Sequence, residues 1–556
     1  VSHRELELKF SLPLSLQDKL DEGAADDWER KRVWSCYYDT PDGELTRARM
    51  AVRVRRHGER WLQTVKAEGA SQFERYEWEQ AIDGPAPQRD ALPPADTELG
   101  AIAHRSFGLW RPLFETDFER RSRTIEPSPG LVIEIAQDIG ELRCGDRIEA
   151  IREVELECLQ GGRAEFFEWA LDWAKALQAC LLIPTKNERG LRLAARLPLI
   201  ASPLKAPTTV PGRGQRPGAA AAQILAACIA HACANIEPIL SSDVPEGPHQ
   251  FRVALRRFRA ALRFFGLREL DPVWETLDRT ASSLADAAGK VRDFDVFESG
   301  LLPELRSRFK GDAALETLSR AVGHARESAR MELRRTLSGP DASQFVLQVM
   351  AMAERLADAG HSEGLPGDDF GAFAAVRLPA LMARVRRRAR RARSETDWHR
   401  TRITVKYLRY ALEFAALAVP RSAEVPRLTA TLARWQDELG AGQDLAVARD
   451  VAAQALARPG VPSEAAVRAT ALIDAWRVFS APRAVGRKRI ARRSLSLMDD
   501  LSGAFSATKA APHSDEQAGS NAISETSTPA TSSGPDASDQ DDASASGRSD
   551  PPAAMQ

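Results

Sequence analysis

The sequence predicts an α+β domain rich in antiparallel strands, followed by an all-α domain of two pseudo-symmetric helical bundles. Three observations carry that expectation. Through about residue 160, apolar and charged residues alternate, in ELELKF, AVRVRR, RYEWEQAI, LVIEIAQD and REVELEC, the period-two pattern of strands with unlike faces. From about Ala219 to about Leu501 the chain is rich in Ala, Leu, Arg and Glu, all good helix formers. Within that stretch HQFRVALRRFR at His249 recurs as HRTRITVKYLR at His399, 150 residues on (399 − 249), and such repeats mark duplicated structural units.

Taken in order, the strand-rich part ends in a helical segment, AEFFEWALDWAKALQA (164–179). The Pro- and Gly-rich SPLKAPTTVPGRGQRPG (202–218) reads as an interdomain linker. The second repeat continues as GAGQDLAV (440–447), answering GKVRDFDV (289–296) and pairing Asp444 with Asp293. Beyond about Ser506 the composition turns to Ser, Ala, Asp, Gly and Pro, too poor in apolar residues to build a core. The expected divisions are therefore 1–200, a linker at 201–218, 219–503, and a disordered acidic tail at 504–556.

Composition narrows the function. A 43% hydrophobic and 28% charged chain of 556 residues is globular and too long for one ordinary domain. No apolar run is expected to approach the ~20 residues that span a bilayer. The opening VSHRELELKF has charge where a signal peptide would be apolar, so the expected location is cytoplasmic, in association with polyphosphate granules. The six cysteines lack CxxC or zinc-like spacing, so reduced thiols are expected. Net charge is −1, yet basic residues crowd RVRRRARRARSETDWHRTRITVKYLR (384–409), which points to a polyanionic partner.

Strand geometry sorts the N-terminal charges onto faces. Glu5, Glu7 and Lys9 share one face, opposite Leu6, Leu8 and Phe10; Arg53 and Arg55 oppose Val52 and Val54; Glu153, Glu155 and Glu157 oppose Val154, Leu156 and Cys158. Three glutamates along one strand face repel one another unless cations sit among them. If the sheet closes with this face inward, acids and bases line a water-filled tunnel. Carboxylates supply hard oxygen ligands for Mg²⁺ or Mn²⁺, and arginines fork phosphate oxygens, which together suit cleavage of a phosphoanhydride.

The pieces ExExK (Glu5, Glu7, Lys9), AVRVRR, TVKAEG, RYEWE, RRSRTIE, QDIGEL, EVELE and PTKNERG resemble, in order, the CYTH or triphosphate tunnel metalloenzyme family over about residues 1–200. The resemblance implies an eight-stranded antiparallel β-barrel, the tunnel fold, and a metal-dependent triphosphatase using Mg²⁺, with Mn²⁺ as the alternative. It implies metal ligation by Glu5, Glu7, Glu153, Glu155 and Glu157, catalytic roles for Glu5, Glu7, Lys9 and Lys66, and phosphate binding by Arg53, Arg55, Arg121, Arg123, Lys186 and Arg189. Tripolyphosphate is the expected substrate, with thiamine triphosphate or a nucleotide as alternatives.

In the helical part, His249, Arg252, Arg256 and Arg259 fall at i, i+3, i+7 and i+10, and His399, Arg402, Lys406 and Arg409 repeat the spacing. Each set lies along one helix face. These residues, with KYLRYALEF and LGAGQD, resemble the CHAD domain, which implies that they bind inorganic polyphosphate in a basic groove. Glu413 stands where the first repeat has Arg263, and Ala446 where it has Asp295, so the halves are not equivalent. A polyphosphate-binding protein with little or no catalysis is the competing expectation. Membrane and nucleic acid are not expected partners, although RNA suits the same kind of basic groove.

Overall fold

The structure, a computed structural model, describes residues 2–13, 28–68, 73–195, 211–359, 364–419 and 422–480, with 15, 20, 203–207, 209, 494–496 and 498–499. The expected tail and residues 201, 202, 208 and 210 of the expected linker lie outside the described residues, as do the side chains of Asp444 and Ala446.

Eight antiparallel strands close into a barrel: β1 (Ser2–Ser11), β2 (Glu29–Asp39), β3 (Met50–His57), β4 (Arg60–Glu68), β5 (Glu74–Ile82), β6 (Arg111–Ser128), β7 (Leu131–Cys144) and β8 (Arg147–Gln160). Their order is β5-β4-β3-β2-β6-β7-β8-β1, and β1 closes the ring by pairing β5 as well. Residues 2–6 of β1 run against β5 and residues 7–10 against β8, so one strand stitches both edges. A two-residue strand, β9 (Cys180–Leu181), extends the sheet beside β1.

The barrel is turned inside out relative to an ordinary core. Leu6, Leu8 and Phe10 of β1, Leu131, Ile133 and Ile135 of β7, and Val154 and Leu156 of β8 point outward into a buried apolar cluster. Their charged neighbours necessarily face the interior. Helix α1 (Glu98–Ser106) covers β3 and β4 through Ala103 beside Met50, Val52 and Val65. Helix α2 (Arg163–Leu177) seals the β1–β7–β8 wall with Phe166 and Phe167, both fully buried. Helix α3 (Lys186–Ala194) lies over an inner apolar layer of Val33, Tyr37, Phe114, Phe118, Leu142 and Ile151, to which it adds Leu191 and Leu193. A capping box between Thr185 and Glu188 fixes the first turn of α3.

The helical part comprises α4 (Pro217–Cys233), α5 (Glu246–Phe265), α6 (Pro272–Val296), α7 (Ala313–Leu337), α8 (Pro340–Asp358), α9 (Phe370–Arg391), α10 (Glu395–Phe414), α11 (Val425–Leu456) and α12 (Ser463–Ser480), with shorter helices between. The repeat appears as two equivalent helix pairs, α5 on α6 and α10 on α11, with α5 also touching α10. Arg252 packs over Gly289 as Arg402 packs over Gly440, each with a guanidinium nitrogen 3.0–3.1 Å from where a Cβ would stand. Arg257 pairs with Glu413 at 3.1 Å, and the equivalent positions, Tyr407 and Arg263, meet as a cation–π contact at 4.3 Å.

Barrel and helices share one core: the apolar cluster under α2 runs on into α4, α5 and α8. Arg163 donates to Glu354 at 2.9 Å, Arg192 to Glu237 at 2.7 Å, and the Leu181 amide to Ser343 Oγ at 2.8 Å. One sequence expectation is corrected here. The stretch Pro217–Ser241 is by length and composition apolar enough to cross a membrane, because small Ala and Cys residues fill the gaps between its Ile and Leu. It is a core helix, with Ile224, Leu225, Cys228 and Ile229 buried. The six cysteines form no disulfide, in keeping with their spacing.

A Cβ on Gly190 would fall about 2.0 Å from the Phe114 ring, so Gly190→Ala must lift α3 away from β6. Thermal or denaturant unfolding of that variant should show a loss of roughly 1–3 kcal/mol, the usual cost of overpacking.

Candidate functional site

The inward faces of the barrel enclose a cavity of about 370 Å³. Most of its lining is charged: Glu5, Glu7 and Lys9 from β1, Arg53 and Arg55 from β3, Lys66 from β4, Arg75, Glu77 and Glu79 from β5, Arg120 from β6, Glu134 from β7, Glu155 and Glu157 from β8, and Lys186 from α3. Strand register stacks these groups in rows. Glu7, Glu157 and Glu134 lie side by side across β1, β8 and β7, and Lys9 faces Glu155 one step along. Lys66 bridges Glu5 at 2.6 Å and Glu77 at 3.0 Å.

The carboxylates fall into two electrostatic groups. Asp138, Glu153 and Glu155 are almost wholly buried but surrounded by cations: Arg120 forks both oxygens of Asp138 at 2.7 Å, Arg189 donates to Glu153 at 2.9 Å, Lys9 reaches Glu155 at 2.7 Å, and Lys186 touches all three acids. Burial alone would raise the Glu155 carboxyl, but Lys186, Lys9 and Arg120 hold it well below the usual carboxylate range. The row Glu7–Glu157–Glu134 has fewer cations than acids: Lys9 reaches Glu7 at 2.5 Å. Burial, then the charges of Glu5 and Glu7, push Glu157 up to about 8. Burial and Glu155 likewise raise Glu7 against the pull of Lys9.

Across the cavity the imbalance is reversed. Nε of Arg53 and of Arg55 is buried with no acceptor, and burial, Arg53 and Arg120 lower Arg55 to about 10. A row of carboxylates that outnumbers its cations thus faces two arginines whose buried Nε atoms have no acceptor.

A second cavity, of about 650 Å³, opens among the helices and is lined by His249, Arg252 and Arg256 of α5, Arg292 of α6, and His399, Arg402 and Lys406 of α10. Nε of Arg256, Arg402 and Arg409 is buried without an acceptor. Burial, then Arg256, Arg402, Arg252 and Arg409, push Lys406 down to about 7. Burial and Arg292 lower His249. The groove concentrates like charge, and among its described lining residues Asp293 and Glu304 are the acids.

Residues 3–186 match the CYTH domain model and residues 223–453 the CHAD domain model. The chain is a CYTH domain joined to a CHAD domain. Among solved structures it is similar to the CHAD domain of the plant Ricinus communis, at 26% identity over 52% of this chain and 96% of that one, with a TM-score of 0.47. It is also similar to a Hippeastrum protein named as an adenylyl cyclase and described as having a dominant triphosphatase activity, at 18% identity over 33% of this chain and 95% of that one, TM-score 0.25. PptA from Streptomyces chartreusis matches at 17% identity over 51% of this chain and 99% of that one, TM-score 0.36.

The CYTH match, with the buried acids Asp138, Glu153 and Glu155 placed to hold one, implies a divalent metal. Of the residues singled out in the sequence, the structure brings Glu5, Glu7, Lys9, Arg53, Arg55, Lys66, Glu155, Glu157 and Lys186 to the cavity. Arg121 and Arg123 are corrected: they lie on the opposite face of β6, stacked on the Trp28 ring at 4.8 Å. The inward arginine is Arg120, one residue away, because two adjacent arginines on a strand must point to opposite faces. Glu153 and Arg189 stand just outside the cavity, paired with each other. In the CHAD domain the groove gathers His249, Arg252, Arg256, His399, Arg402 and Lys406. Arg259 turns away to Asp278 at 2.7 Å, and Arg409 stands beyond the lining, 3.6 Å from Glu413. Arg292 joins the groove from α6, unmarked by the repeat because the second half has no arginine at its position in GAGQD.

Two carboxylate sets fit a divalent cation. Glu5, Glu7 and Glu157 supply hard oxygens with a deficit of positive charge, and the caged acids Asp138, Glu153 and Glu155 converge within 4.8 Å. Glu157 must lose its proton to ligate. Mn²⁺ affinity, measured without phosphate, should therefore rise with a proton released as pH increases toward about 8, then level off. Glu157→Gln should flatten that dependence.

Proposed function

We propose that the CYTH tunnel hydrolyses tripolyphosphate to pyrophosphate and phosphate with Mg²⁺, and that the CHAD groove binds inorganic polyphosphate. What carries the first half is the facing of two unlike walls: Arg53 and Arg55 with buried N–H groups lacking acceptors, opposite the row of Glu7, Glu157 and Glu134. A phosphate chain with its cation satisfies both at once. A divalent cation held by Glu5, Glu7 and Glu157 would supply Lewis-acid charge for the phosphate chain and would lower the pKa of an attacking water.

The chain's own residues do the rest. Arg53 and Arg55 grip non-bridging oxygens in forked geometry. Lys66 is held in line by Glu5 and Glu77 and adds a point charge to the phosphate path. Water attacks a terminal phosphorus, the P–O–P bond breaks toward pyrophosphate, and the water's proton passes to a carboxylate of the Glu7–Glu157 row. Charge spreads over the equatorial oxygens as the bond breaks, so guanidinium groups fixed in place favour that state over the bound substrate.

A second reading, an organic triphosphate such as thiamine triphosphate or a nucleotide, draws on one observation. A neighbouring cavity of about 320 Å³ shares Glu7, Lys9, Arg49 and Arg75 with the tunnel and has Phe73, Leu182, Ile183, Leu204 and Pro207 in its walls. An apolar group attached to the phosphate chain would find contacts there.

Phosphate release from tripolyphosphate, ATP and thiamine triphosphate, with and without Mg²⁺, separates the readings. Tripolyphosphate should be turned over best, only with metal, and Glu5→Gln should abolish turnover. Preference for an organic substrate would replace the first reading with the second, and metal-independent turnover would remove both.

For the groove, His249→Ala combined with Arg256→Ala should weaken polyphosphate binding while tripolyphosphate turnover stays unchanged, as read by a binding titration and the phosphate assay side by side. Binding should also depend on pH. Lys406 titrates at about 7 in the free protein, and a bound polyanion favours its ammonium form. Affinity should hold level below that point and fall as pH rises through it, since each binding event must then take up a proton. Lys406→Arg, charged throughout, should lose the dependence.

A further inference from the structure

The cavity of about 650 Å³ in the CHAD domain has two unlike sides. Its cations come from α5, α6 and α10. The rest of the lining is mostly apolar: Val296 at the end of α6, Phe297 and Leu301 of the π-helical turn that follows, Ile403 of α10, Val447 of α11 and Trp476 of α12. Val296 is 46% exposed and Ile403 39%. A Cβ on Gly300, in the same π-helical turn, would meet nothing within 4 Å. An inorganic phosphate chain has no use for such a surface, since it would lose hydration there without gaining a partner.

Trp476 is held in that wall by its own helix. Helix α12 begins beyond residue 453, where the match to the CHAD model ends. Ala469, Leu472 and Ile473 are buried, and Trp476 follows them by seven, four and three residues, which puts it on the same helix face. Arg468 donates to Asp312 at 2.9 Å and ties α12 to the N-cap of α7. The tryptophan is half-buried, and an aromatic face so placed stacks a nucleobase of any kind. Glu304, exposed on the short helix after the π-helical turn, also lines the cavity. Its carboxylate repels phosphate but accepts an N–H from a base. A nucleic acid alternates phosphate and base along its length. The cations here crowd closely enough to lower one another's hold on a proton, which suits consecutive phosphates.

We propose that the groove prefers a phosphate chain capped by a nucleoside: consecutive phosphates lie on the cations of α5, α6 and α10, and the base stacks on Trp476. This preference rests on the groove's proposed binding of phosphate chains and narrows the ligand to a nucleoside polyphosphate.

Calorimetric titration of the full chain with adenosine 5′-tetraphosphate and with inorganic tetraphosphate tests it, with Arg53→Ala, Arg55→Ala and excess EDTA keeping the tunnel silent. The inorganic ligand carries at least as much negative charge, so electrostatics alone gives the nucleotide no advantage. Adenosine tetraphosphate should nevertheless bind on the order of tenfold more tightly. Trp476→Leu should remove that gain and leave the affinity for inorganic tetraphosphate as it was, while Trp476→Phe, which keeps an aromatic face, should retain most of it. A gain that survives Trp476→Leu would overturn the stacking. Should Trp476→Leu fail to fold, the two ligands on the groove with Trp476 in place decide: equal affinity would overturn the preference and leave the groove's phosphate binding standing. Binding of neither would remove both. Tighter binding of a single-stranded oligoadenylate than of adenosine tetraphosphate would overturn the proposal in favour of RNA.

Discussion

The closure of eight strands into a barrel, with charged faces of β1, β3, β5, β7 and β8 inward, is the constraint on which the rest of the molecule depends. Taking an ion out of water costs several kcal/mol even after the protein relaxes, and attraction between ions offsets that only with close, well-formed pairing. The barrel meets the requirement where burial is deepest. Asp138 and Glu153 have no exposed side-chain surface, and each contacts two cations. Pairing is thinner where the cavity opens: Arg53 and Arg55 keep buried Nε atoms without an acceptor, and Glu157 is raised by its acidic neighbours.

An inverted barrel also has apolar outer faces that must be covered, and this accounts for how the two domains are joined. Leu6, Leu8 and Phe10 need a partner layer, and α2 supplies only part of it. The same apolar cluster continues through Phe166 and Phe167 into α4, α5 and α8. The CHAD domain is therefore part of the surface that keeps the tunnel wall buried. The strand that carries Glu5, Glu7 and Lys9 has its other face in that shared cluster.

Most of the architecture was legible because alternation is unambiguous where one parity is apolar. In ELELKF, AVRVRR and EVELEC the aliphatic residues fix which side is out, and the charged residues follow. The method fails in FERRSRTIE, where Arg120, Arg121 and Arg123 occupy both parities. What settles the face is a partner on another strand, Asp138 opposite Arg120, which no local pattern reveals. Lys186 and Arg189 share that difficulty, since their acids lie on β7 and β8. On the helices, a face drawn through i, i+3, i+7 and i+10 drifts around the axis, because 3.6 residues per turn do not divide the spacing evenly. Arg259 has turned far enough to meet Asp278 on α6. The closing of the barrel, too, came from motif order and not from alternation, which an open sheet would show equally well.

The two halves of the groove show what repetition preserves and what it releases. Arg252 over Gly289 and Arg402 over Gly440 are the same contact made twice, and both arginines line the cavity. A side chain larger than hydrogen at either glycine would push its arginine out of place, so the glycines and arginines are fixed together. The flanks are freer: an ion pair between Arg257 and Glu413 on one side answers a cation on an aromatic ring, Arg263 on Tyr407, on the other. Both hold α5 against α10, and either kind of contact suffices for that. Between them Arg256 and Lys406 occupy equivalent positions; burial and Arg256 lower Lys406, and burial with Arg252 and Arg409 lowers Arg256. Stability alone would favour an acid at one of the two. That both remain basic, at the centre of a cavity and flanked by contacts that adapted freely, argues that the centre answers to a ligand and the flanks to the fold.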